Sequence, residues 1–492
     1  MVLNACYSEE QAEAIREHIG YVLGVDGEIT NRQAIQFATG FYDALGAGRS
    51  YGDASEMGQI ALDMSAPSLS KFSRNLRVVL AVVAGVSFLT VTSRLTGLFE
   101  PLGLKAFDTL MTFSRNTTKS DQNIVIVGVS DEDLEGWKQT ALSDWRLLKI
   151  LEAVNVAEPL VIGLDIFRDE VAPADKERAN QATDDYETLI SYLEQPDNNT
   201  ISICRRIPER ASPGEKPPFT INSENRELIS FNDVISDSTS KPNFIRRQLL
   251  EIDTDEEKSG CDAAKSLSYQ LALRFLEKQE IFEERDSLNY INLGETVLEP
   301  IFSNAGSYSS VEDGGYQIMV NFRITSASFS ESQVSAAAVL EGDPDTLEKL
   351  KNKIVLVGYT SKKENDANTN IDTHMTPIGL VSGVELHAHM IRNIISAVEG
   401  EQPLIRTLPT GLNMILVIFW CGVGGNMIWI LKPRKVVIMA TSATMVMMIG
   451  GYWFAFYFGG WWLPLVPSLV GWLASVGGVV AVNRYLMKKD DR

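Results

Sequence analysis

The sequence lacks the cysteine patterns that define two common kinds of small structural domain. Its 492 residues contain four cysteines (Cys6, Cys204, Cys261 and Cys421), which are too few for a disulfide scaffold and have no CxxC spacing of the zinc-site kind. Basic residues are also scarce, with 44 Lys and Arg against 64 Asp and Glu and a net charge of −20. This charge argues against a general nucleic-acid binder, so nucleic acid is not an expected partner.

Charged residues are absent from three long apolar segments near the C-terminal end: 411–431, 436–458 and 461–483. Because about 20 apolar residues suffice to cross a bilayer, these segments predict transmembrane helices; the alternative is three buried core helices. The connector 432–435 is basic, whereas the Gly459-Gly460 turn is neutral. Basic loops stay in the cytoplasm, so the connector and the tail 484–492 are predicted to lie inside.

A fourth, shorter apolar run at 78–93 offers a route out of the cytoplasm for the residues that follow it. Its flanking residues Arg77 and Arg94 can reach the membrane surface by snorkelling, and we place the transmembrane helix at 77–97. The alternative is an apolar helix of a soluble domain. The predicted topology puts both termini in the cytoplasm and residues 98–405 outside a bacterial inner (plasma) membrane, with Trp461 and Trp462 at the outer interface.

Between these segments, apolar runs alternate with helical patterns. Strands are predicted at 124–129, 160–167, 200–204, 318–322 and 354–358, and helices at 145–154, 267–276 and 386–397. The stretch 206–260 is rich in Pro, Ser, Glu and Asp and is interpreted as an insertion or loop. The predicted fold is an α/β extracytoplasmic domain with a mostly parallel sheet, four transmembrane α-helices and a short α-rich N-terminal fragment in the cytoplasm.

Acidic residues follow two of the predicted strands, Asp131 after the first and Asp165 within the end of the second. Open parallel sheets bind ligands beyond the carboxyl ends of their strands, so both residues are candidates for ligand binding. The alternative is that each caps a helix or closes a turn. His387 and His389 are two residues apart on a predicted helix and face different sides, so we expect no metal site and no cofactor.

Several short pieces of the outer region, VIVGVSDEDL, DWRLLKILEAV, PLVIGLDIF, KNKIVLVGYTS and GVELHAHM, occur in this order along the chain. Together they resemble the second family of CHASE domains (cyclase- and histidine-kinase-associated sensory extracellular domains), over about residues 98–400. That family often has Trp-Pro where this chain has Trp145 and Arg146, and its Asp–Thr-Pro element is stretched here, starting at Asp372. The resemblance implies a receptor for an extracellular signal and adds these three residues to the candidate ligand-binding residues.

The same resemblance implies a disulfide. The flanks SICRR and KSGCD, around Cys204 and Cys261, resemble a sensor subfamily in which two cysteines bracket this insertion. The predicted outer compartment also permits disulfides. We therefore predict a bridge between Cys204 and Cys261; the alternative is two free, partly buried thiols.

VLNACYS and FYDALGAGRS, within residues 1–63, resemble the end of a caspase-like peptidase of the CHAT kind. In that family the cysteine at the position of Cys6 is the nucleophile, and the histidine that activates it lies upstream. Helices are predicted at 9–23 and 31–45, and His18 comes after the cysteine. We expect Cys6 to be vestigial and the chain to be non-catalytic. A gene start further upstream, a split gene and a degenerate cytoplasmic tail stay open as explanations.

Two hypotheses of function follow. The first is a membrane-anchored extracytoplasmic sensor with no output enzyme of its own, which acts through a partner or through the N-terminal segment. The alternative is a caspase-like cysteine peptidase, incomplete here, that the outer sensor domain regulates. The expected partners are the lipid bilayer, an unknown extracellular ligand, a cytoplasmic signalling or peptidase partner, and a second copy of the chain in a homodimer.

Overall fold

The computed structural model of the chain describes residues 9–24, 31–63, 69–113, 123–206, 216–219, 225–237, 244–252, 261–322, 329, 331–361, 372–431 and 433–490. The chain forms two compact units, Met1–Ala84 and Gly85–Arg492.

The first unit is built from short helices: α1 (Glu9–Arg16), α2 (Asn31–Gly46) and α3 (Tyr51–Asp63). Phe41, Ala44 and Ala54 form a small apolar core between α2 and α3. The helix predicted at 31–45 is confirmed. The helix predicted at 9–23 is wrong in length, because α1 ends at Arg16 and His18 lies in the turn that follows.

The remaining helices and strands follow in chain order. The helices are α4 (Leu69–Leu95), α5 (Glu100–Phe113), α6 (Asp131–Trp137), α7 (Asp144–Val156), α8 (Ala182–Leu193), α9 (Leu267–Glu277), α10 (Ala336–Leu340), α11 (Pro344–Leu350), α12 (Gly383–Val398), α13 (Thr410–Ile430), α14 (Arg434–Gly459) and α15 (Leu465–Asp490). The strands are β1 (Ile124–Val129), β2 (Val161–Asp165), β3 (Thr200–Cys204), β4 (Ile229–Phe231), β5 (Arg247–Glu251), β6 (Glu283–Arg285), β7 (Ile291–Leu293), β8 (Thr296–Leu298), β9 (Tyr316–Met319), β10 (Gln333–Ser335), β11 (Ile354–Tyr359), β12 (Thr373–Thr376), β13 (Gly379–Ser382), β14 (Arg406–Thr407) and β15 (Trp461–Trp462).

A six-stranded sheet forms the centre of the second unit, with the strand order β10-β1-β11-β2-β3-β4. Every neighbouring pair in it is parallel, so the predicted parallel sheet is confirmed. Its inner strands are continuous apolar runs because both of their faces are covered. Along β1, Val125 and Val127 point into one core, whereas Ile124 and Ile126 point into the other.

Helices cover the two faces of this sheet. Leu147 and Leu151 of α7 belong to the core on one face, and Ile391 and Ile394 of α12 belong to the core on the other. Helix α9 packs against this second face, where Gly163 of β2 allows close approach: a Cβ there would lie 2.5 Å from Leu271 Cδ1. The apolar runs of the sequence therefore predicted both the strands and the helices that cover them.

One expectation for the outer region was wrong, and a second is confirmed in part. The stretch 206–260 is more than a loop, because β4 extends the central sheet and β5 lies within the stretch as well. The strand predicted at 318–322 is β9, and it pairs antiparallel with β5 outside the central sheet. Both strands of that pair come from polar surroundings, where short strands leave little pattern in the sequence.

Within the described part of the chain, four helices are long and apolar enough to cross a membrane: Leu76–Leu95, Thr410–Ile430, Arg434–Gly459 and Leu465–Tyr485. The last of them starts later than predicted, because Trp461 and Trp462 form β15 and pair with β14. Trp462 is also only 2% exposed, and it packs among Phe107, Tyr308 and Phe456. Trp462 is thus buried within the protein, and its expected position at the outer membrane interface stays a prediction.

Candidate functional site

The carboxyl edge of the central sheet carries a compact polar site that is built on β2, β11 and the start of α12. Asp165 is the last residue of β2 and lies opposite Gly358 of β11. A Cβ at Gly358 would lie 2.9 Å from Val384 Cβ, so only glycine lets the first turn of α12 sit directly on the strand. This close packing brings His387, one turn into α12, to the end of β2.

Asp165 is the buried centre of this site. Only 4% of its side chain is exposed, and its Oδ1 atom accepts a hydrogen bond from Asn232 Nδ2 at 2.8 Å. His387 Nε2 lies 3.9 Å from the same oxygen, which is too far for a hydrogen bond. A carboxyl group and an imidazole therefore face each other without being joined.

A second carboxyl group, that of Asp372, reaches the site from the residue before β12. Its Oδ1 atom lies 2.8 Å from His374 Nε2, and 53% of its side chain is exposed. A Cβ at Gly383 would lie 2.0 Å from Asp372 Oδ2 and 3.4 Å from Asp165 Oδ2. The two carboxyl groups thus converge on the bare Cα of Gly383, and Asp372 connects the buried site with solvent.

The electrostatics of the site shift the pKa values of its two carboxyl groups in opposite directions. Burial, and then the negative charge of Asp372, raise the pKa of Asp165 to about 7. Desolvation alone would raise the pKa of Asp372 too, but the hydrogen bond and the charge of His374 hold it below its ordinary value. Burial lowers the pKa of His387 to about 4. Near neutral pH, therefore, His387 is uncharged and Asp165 changes its charge.

His387 is unusual because it is 2% exposed and neither of its ring nitrogens has a hydrogen-bond partner in the described part of the chain. Most buried polar side chains are paired, since an unpaired one costs about 1–3 kcal/mol. Its neighbour on the helix, His389, instead packs its ring against Phe322 and Phe329. The expectation that the two histidines face different sides is confirmed.

The structure brings together two of the five predicted ligand-binding residues, Asp165 and Asp372. Asp131 lies in the first turn of α6, where its Oδ2 atom accepts a hydrogen bond from Ser361 at 3.0 Å. The sequence did not single out Asn232, because it lies in the presumed insertion. It did not favour His387 either, because that residue was weighed only as half of a metal pair.

Trp145 and Arg146 lie at the start of α7, and their contacts are with residues outside this site. Arg146 stacks on Trp137, with its Cζ atom 4.7 Å from the ring centroid, and its Nη2 atom lies 3.0 Å from Asp175 Oδ2. A cation–π contact and an ion pair of this kind hold the start of α7 against the loop after β2. These two residues are thus engaged within the domain.

The described residues contain no group of three or more His, Cys, Asp or Glu side chains that could hold a metal ion. Cys6, the candidate nucleophile, lies outside the described residues, so the alternative of a peptidase stays a prediction.

Cys204 and Cys261 form a disulfide in the structure, with their Cα atoms 5.7 Å apart. Cys204 is the last residue of β3, and the bridge ties the start of the segment before α9 to that edge of the sheet. The described residues also contain Cys421, which is free and buried in α13.

We expect thiol titration of the unfolded chain to find two reactive thiols without reductant and four with it. The bridge accounts for the difference, because it blocks Cys204 and Cys261 and leaves Cys6 and Cys421 free. The protein must be exported natively and unfolded in the presence of a rapid alkylating agent, so that no exchange occurs. A Cys204→Ser variant serves as the control and should show three thiols without reductant. Four thiols in the unreduced wild type would contradict the bridge.

A second polar region lies where the first apolar helix, α4, meets the outer domain. Arg94, near the end of α4, is 7% exposed. Its guanidinium group donates hydrogen bonds to one short segment of the chain, 304–309, which we call the junction segment; the acceptors are the carbonyl oxygens of Asn304, Gly306, Ser307 and Tyr308. The prediction that Arg94 snorkels was wrong, because the protein backbone takes the place of the membrane surface.

The junction segment is also held from α5 and from the C-terminal helices. Glu100 accepts hydrogen bonds from the backbone N–H and the hydroxyl of Ser309. Gly306 has φ +55°, and a Cβ there would lie 2.1 Å from the Trp462 ring. The segment is therefore fixed by charge on one side and by an aromatic ring on the other.

From the junction segment, a chain of buried polar contacts leads into the outer domain. The Tyr308 hydroxyl donates to Asp237, and Asp237 pairs with Arg246 at 2.5 Å and with Arg247 at 3.2 Å. Arg246 also forms two hydrogen bonds with Asp108 of α5, at 2.7 and 2.8 Å. Bidentate pairs of this kind fix orientation as well as distance. The end of α4 is thus tied firmly to the domain that follows it.

These features define a class of protein: a parallel α/β domain that lies in the chain between helices apolar enough to cross a membrane. A family model described as the CHASE2 domain matches residues 79–426. The chain belongs to the CHASE2 family, which is a family of sensor domains. The matched region includes the apolar part of α4 and most of α13 as well as the α/β domain. No curated protein and no solved structure matches the chain.

Proposed function

We propose that the chain is a membrane-anchored extracytoplasmic sensor, a signal receptor that acts through a cytoplasmic partner or through the N-terminal segment. In this proposal four helices span a bacterial inner membrane, residues 98–405 lie outside, and both termini lie in the cytoplasm. The match to a family of sensor domains supports the general role. The charge pattern supports the orientation, since the connector 432–435 is the basic one.

The observation that carries the proposal is the attachment of Arg94 to the junction segment. A domain that is only anchored needs no more than a flexible link to its first membrane helix. Here the last turn of α4 is bound instead to four carbonyl groups of the outer domain. A change in the outer domain would then be transmitted to the helix, because the two cannot move independently without breaking buried hydrogen bonds.

The mechanism that we propose is a two-state equilibrium. A stimulus that binds one state of the outer domain more tightly than the other shifts the population toward that state. The shift moves the first membrane helix against the other three, and a cytoplasmic partner or the N-terminal segment reads the movement. A second copy of the chain could take part as the other half of a dimer.

The test is the position of the outer domain relative to the membrane. Leu288 and Ile35 are both apolar side chains at the surface, 70% and 65% exposed. We expect Leu288→Cys to react with a membrane-impermeant maleimide in intact cells, and Ile35→Cys to react only after the cells are permeabilised. The background for both variants carries Cys6→Ser and Cys421→Ser. Labelling of Ile35→Cys but not of Leu288→Cys in intact cells would overturn the proposed receptor.

A further inference from the structure

We propose that the site formed by Asp165 and His387 binds a proton from the outer compartment, and that acidity is a stimulus which this sensor detects. The inference rests on the proposed function, because it names the stimulus for that receptor. Its structural basis is a buried carboxyl group and a buried imidazole that face each other without a hydrogen bond.

The size of the site favours a proton over a larger ligand. The side chains of Asp165 and His387 are 4% and 3% exposed. Even one methyl group on Gly383 would overlap the Asp372 carboxyl group. A proton needs no such space, and it can reach the interior through Asp372, which is in contact with solvent.

The charged groups around the site favour binding of the proton at Asp165. Asp372 and His374 come from the hairpin β12–β13, His387 from α12, and Asn232 from the residues after β4. Arg205, which follows β3, adds a positive charge that acts on Asp372 rather than on Asp165. Ionised Asp165 therefore faces a second carboxylate in a buried setting, and one proton removes that repulsion.

Protonation also supplies a missing hydrogen bond. The proton comes from solvent and forms an O–H bond on the Asp165 carboxyl group. This hydroxyl can donate to the unprotonated Nε2 atom of His387, which has no partner among the described residues. The two atoms are now 3.9 Å apart, and a hydrogen bond requires about 2.8 Å. In the acid form we therefore expect the first turns of α12 to move toward the end of β2.

Helix α12 can transmit this movement toward the membrane. The Asn393 side chain is joined to the backbone of Met319 and Asn321, and the Asn321 side chain donates to the Pro403 carbonyl. Pro403 lies in the short connection to α13, one of the four apolar helices. A displacement of α12 thus has a packed route to a membrane helix.

The experiment uses the full chain in lipid nanodiscs between about pH 5 and pH 9. Infrared spectroscopy measures the protonated carboxyl band, and hydrogen exchange, corrected for its intrinsic pH dependence, measures the opening of α12 and residues 399–409. We compare the wild type with Asp165→Asn, His387→Gln and the control Asp131→Asn. Asp131 is a matched control because it follows β1 at the same edge of the sheet and hydrogen-bonds to Ser361 instead.

We expect a carboxyl band in the wild type that disappears as the pH rises through about 7, and faster exchange in α12 over the same range. Asp165→Asn should remove both changes, His387→Gln should keep the band but weaken the change in exchange, and Asp131→Asn should keep both. A band that survives in Asp165→Asn, or an unchanged exchange rate in the wild type, would overturn the proposal. Stabilisation by Zn²⁺ in the wild type but not in His387→Gln would overturn it in favour of a cation site.

Failure of the proposed function gives a different result. If the outer domain proved to be cytoplasmic in the labelling experiment, the receptor would be lost while the titration of Asp165 could still be observed.

Discussion

Replacement of Asp237 with alanine is expected to destabilise the outer domain by about 3–5 kcal/mol, the usual cost of removing one partner from a buried ion pair. The Asp237 side chain is 1% exposed, and those of Arg246 and Arg247 are 4% and 1% exposed. Without the carboxylate, two buried guanidinium groups lose their shared counter-charge. Arg246 keeps Asp108, but among the described residues Arg247 keeps only neutral acceptors such as Gln317.

The loss should also reach the junction segment, because the Tyr308 hydroxyl donates to Asp237. Denaturant unfolding of the full chain in one detergent, followed by tryptophan fluorescence, gives the change in stability. Hydrogen exchange of residues 304–309 reports whether the junction segment loosens in the native state.

The control is an ion pair of similar length at the surface. Lys149 and Glu152 lie 2.6 Å apart, but their side chains are 44% and 43% exposed. Glu152→Ala is therefore expected to change the stability by less than about 1 kcal/mol. Equal losses in the two variants, or no loss in Asp237→Ala, would contradict the assignment of Asp237 as the buried counter-charge.

The central sheet could be predicted because its inner strands have to be apolar on both faces. Runs such as 124–129 and 354–358 leave no other interpretation once helical patterns alternate with them. The strands β4 and β5 could not be found in this way. They are short, and they lie in a stretch whose composition is that of a loop, so the strand pairing that fixes them comes from the rest of the fold.

Only part of the candidate site could be predicted from the sequence, for a similar reason. Asp165 was found because the carboxyl end of a parallel strand is a known position for ligand-binding residues. His387 reaches it only because Gly358 and Gly383 let α12 lie close to the sheet. Asp165 and His387 are more than 200 residues apart in the sequence, so their proximity depends on packing between distant segments. No local sequence pattern could predict it.

Arg94 shows the opposite case, in which a local pattern misled. An arginine at the end of an apolar run is typical of snorkelling to the membrane surface. In the structure its guanidinium group instead donates hydrogen bonds to carbonyl oxygens of residues 304–308. An arginine at the end of an apolar run is therefore compatible with two roles: snorkelling to the membrane surface, and hydrogen bonding to the folded domain. Only the fold decides between them.

The pH dependence of stability is expected to change sign between two single variants of the site. Asp165→Asn leaves His387, whose pKa is lowered to about 4 in the folded protein against an ordinary value of 6.5. Between these values the unfolded chain binds a proton that the folded protein does not. The stability of this variant should therefore fall, by about 3 kcal/mol, as the pH drops from about 6.5 to about 4.

His387→Gln leaves Asp165, whose pKa is raised to about 7 against an ordinary value of 3.8. The folded protein now binds a proton that the unfolded chain does not, so the stability of this variant should rise by about 3 kcal/mol as the pH drops over the same range. In the wild type the two contributions oppose each other. Denaturant midpoints of each single variant, taken relative to the double variant at every pH, isolate the contribution of the group that remains. The double variant carries neither group, so it supplies the baseline against which both slopes are read. Slopes of the same sign in the two single variants would mean that one of the groups does not titrate as a buried residue, and the proton site could not then operate as described.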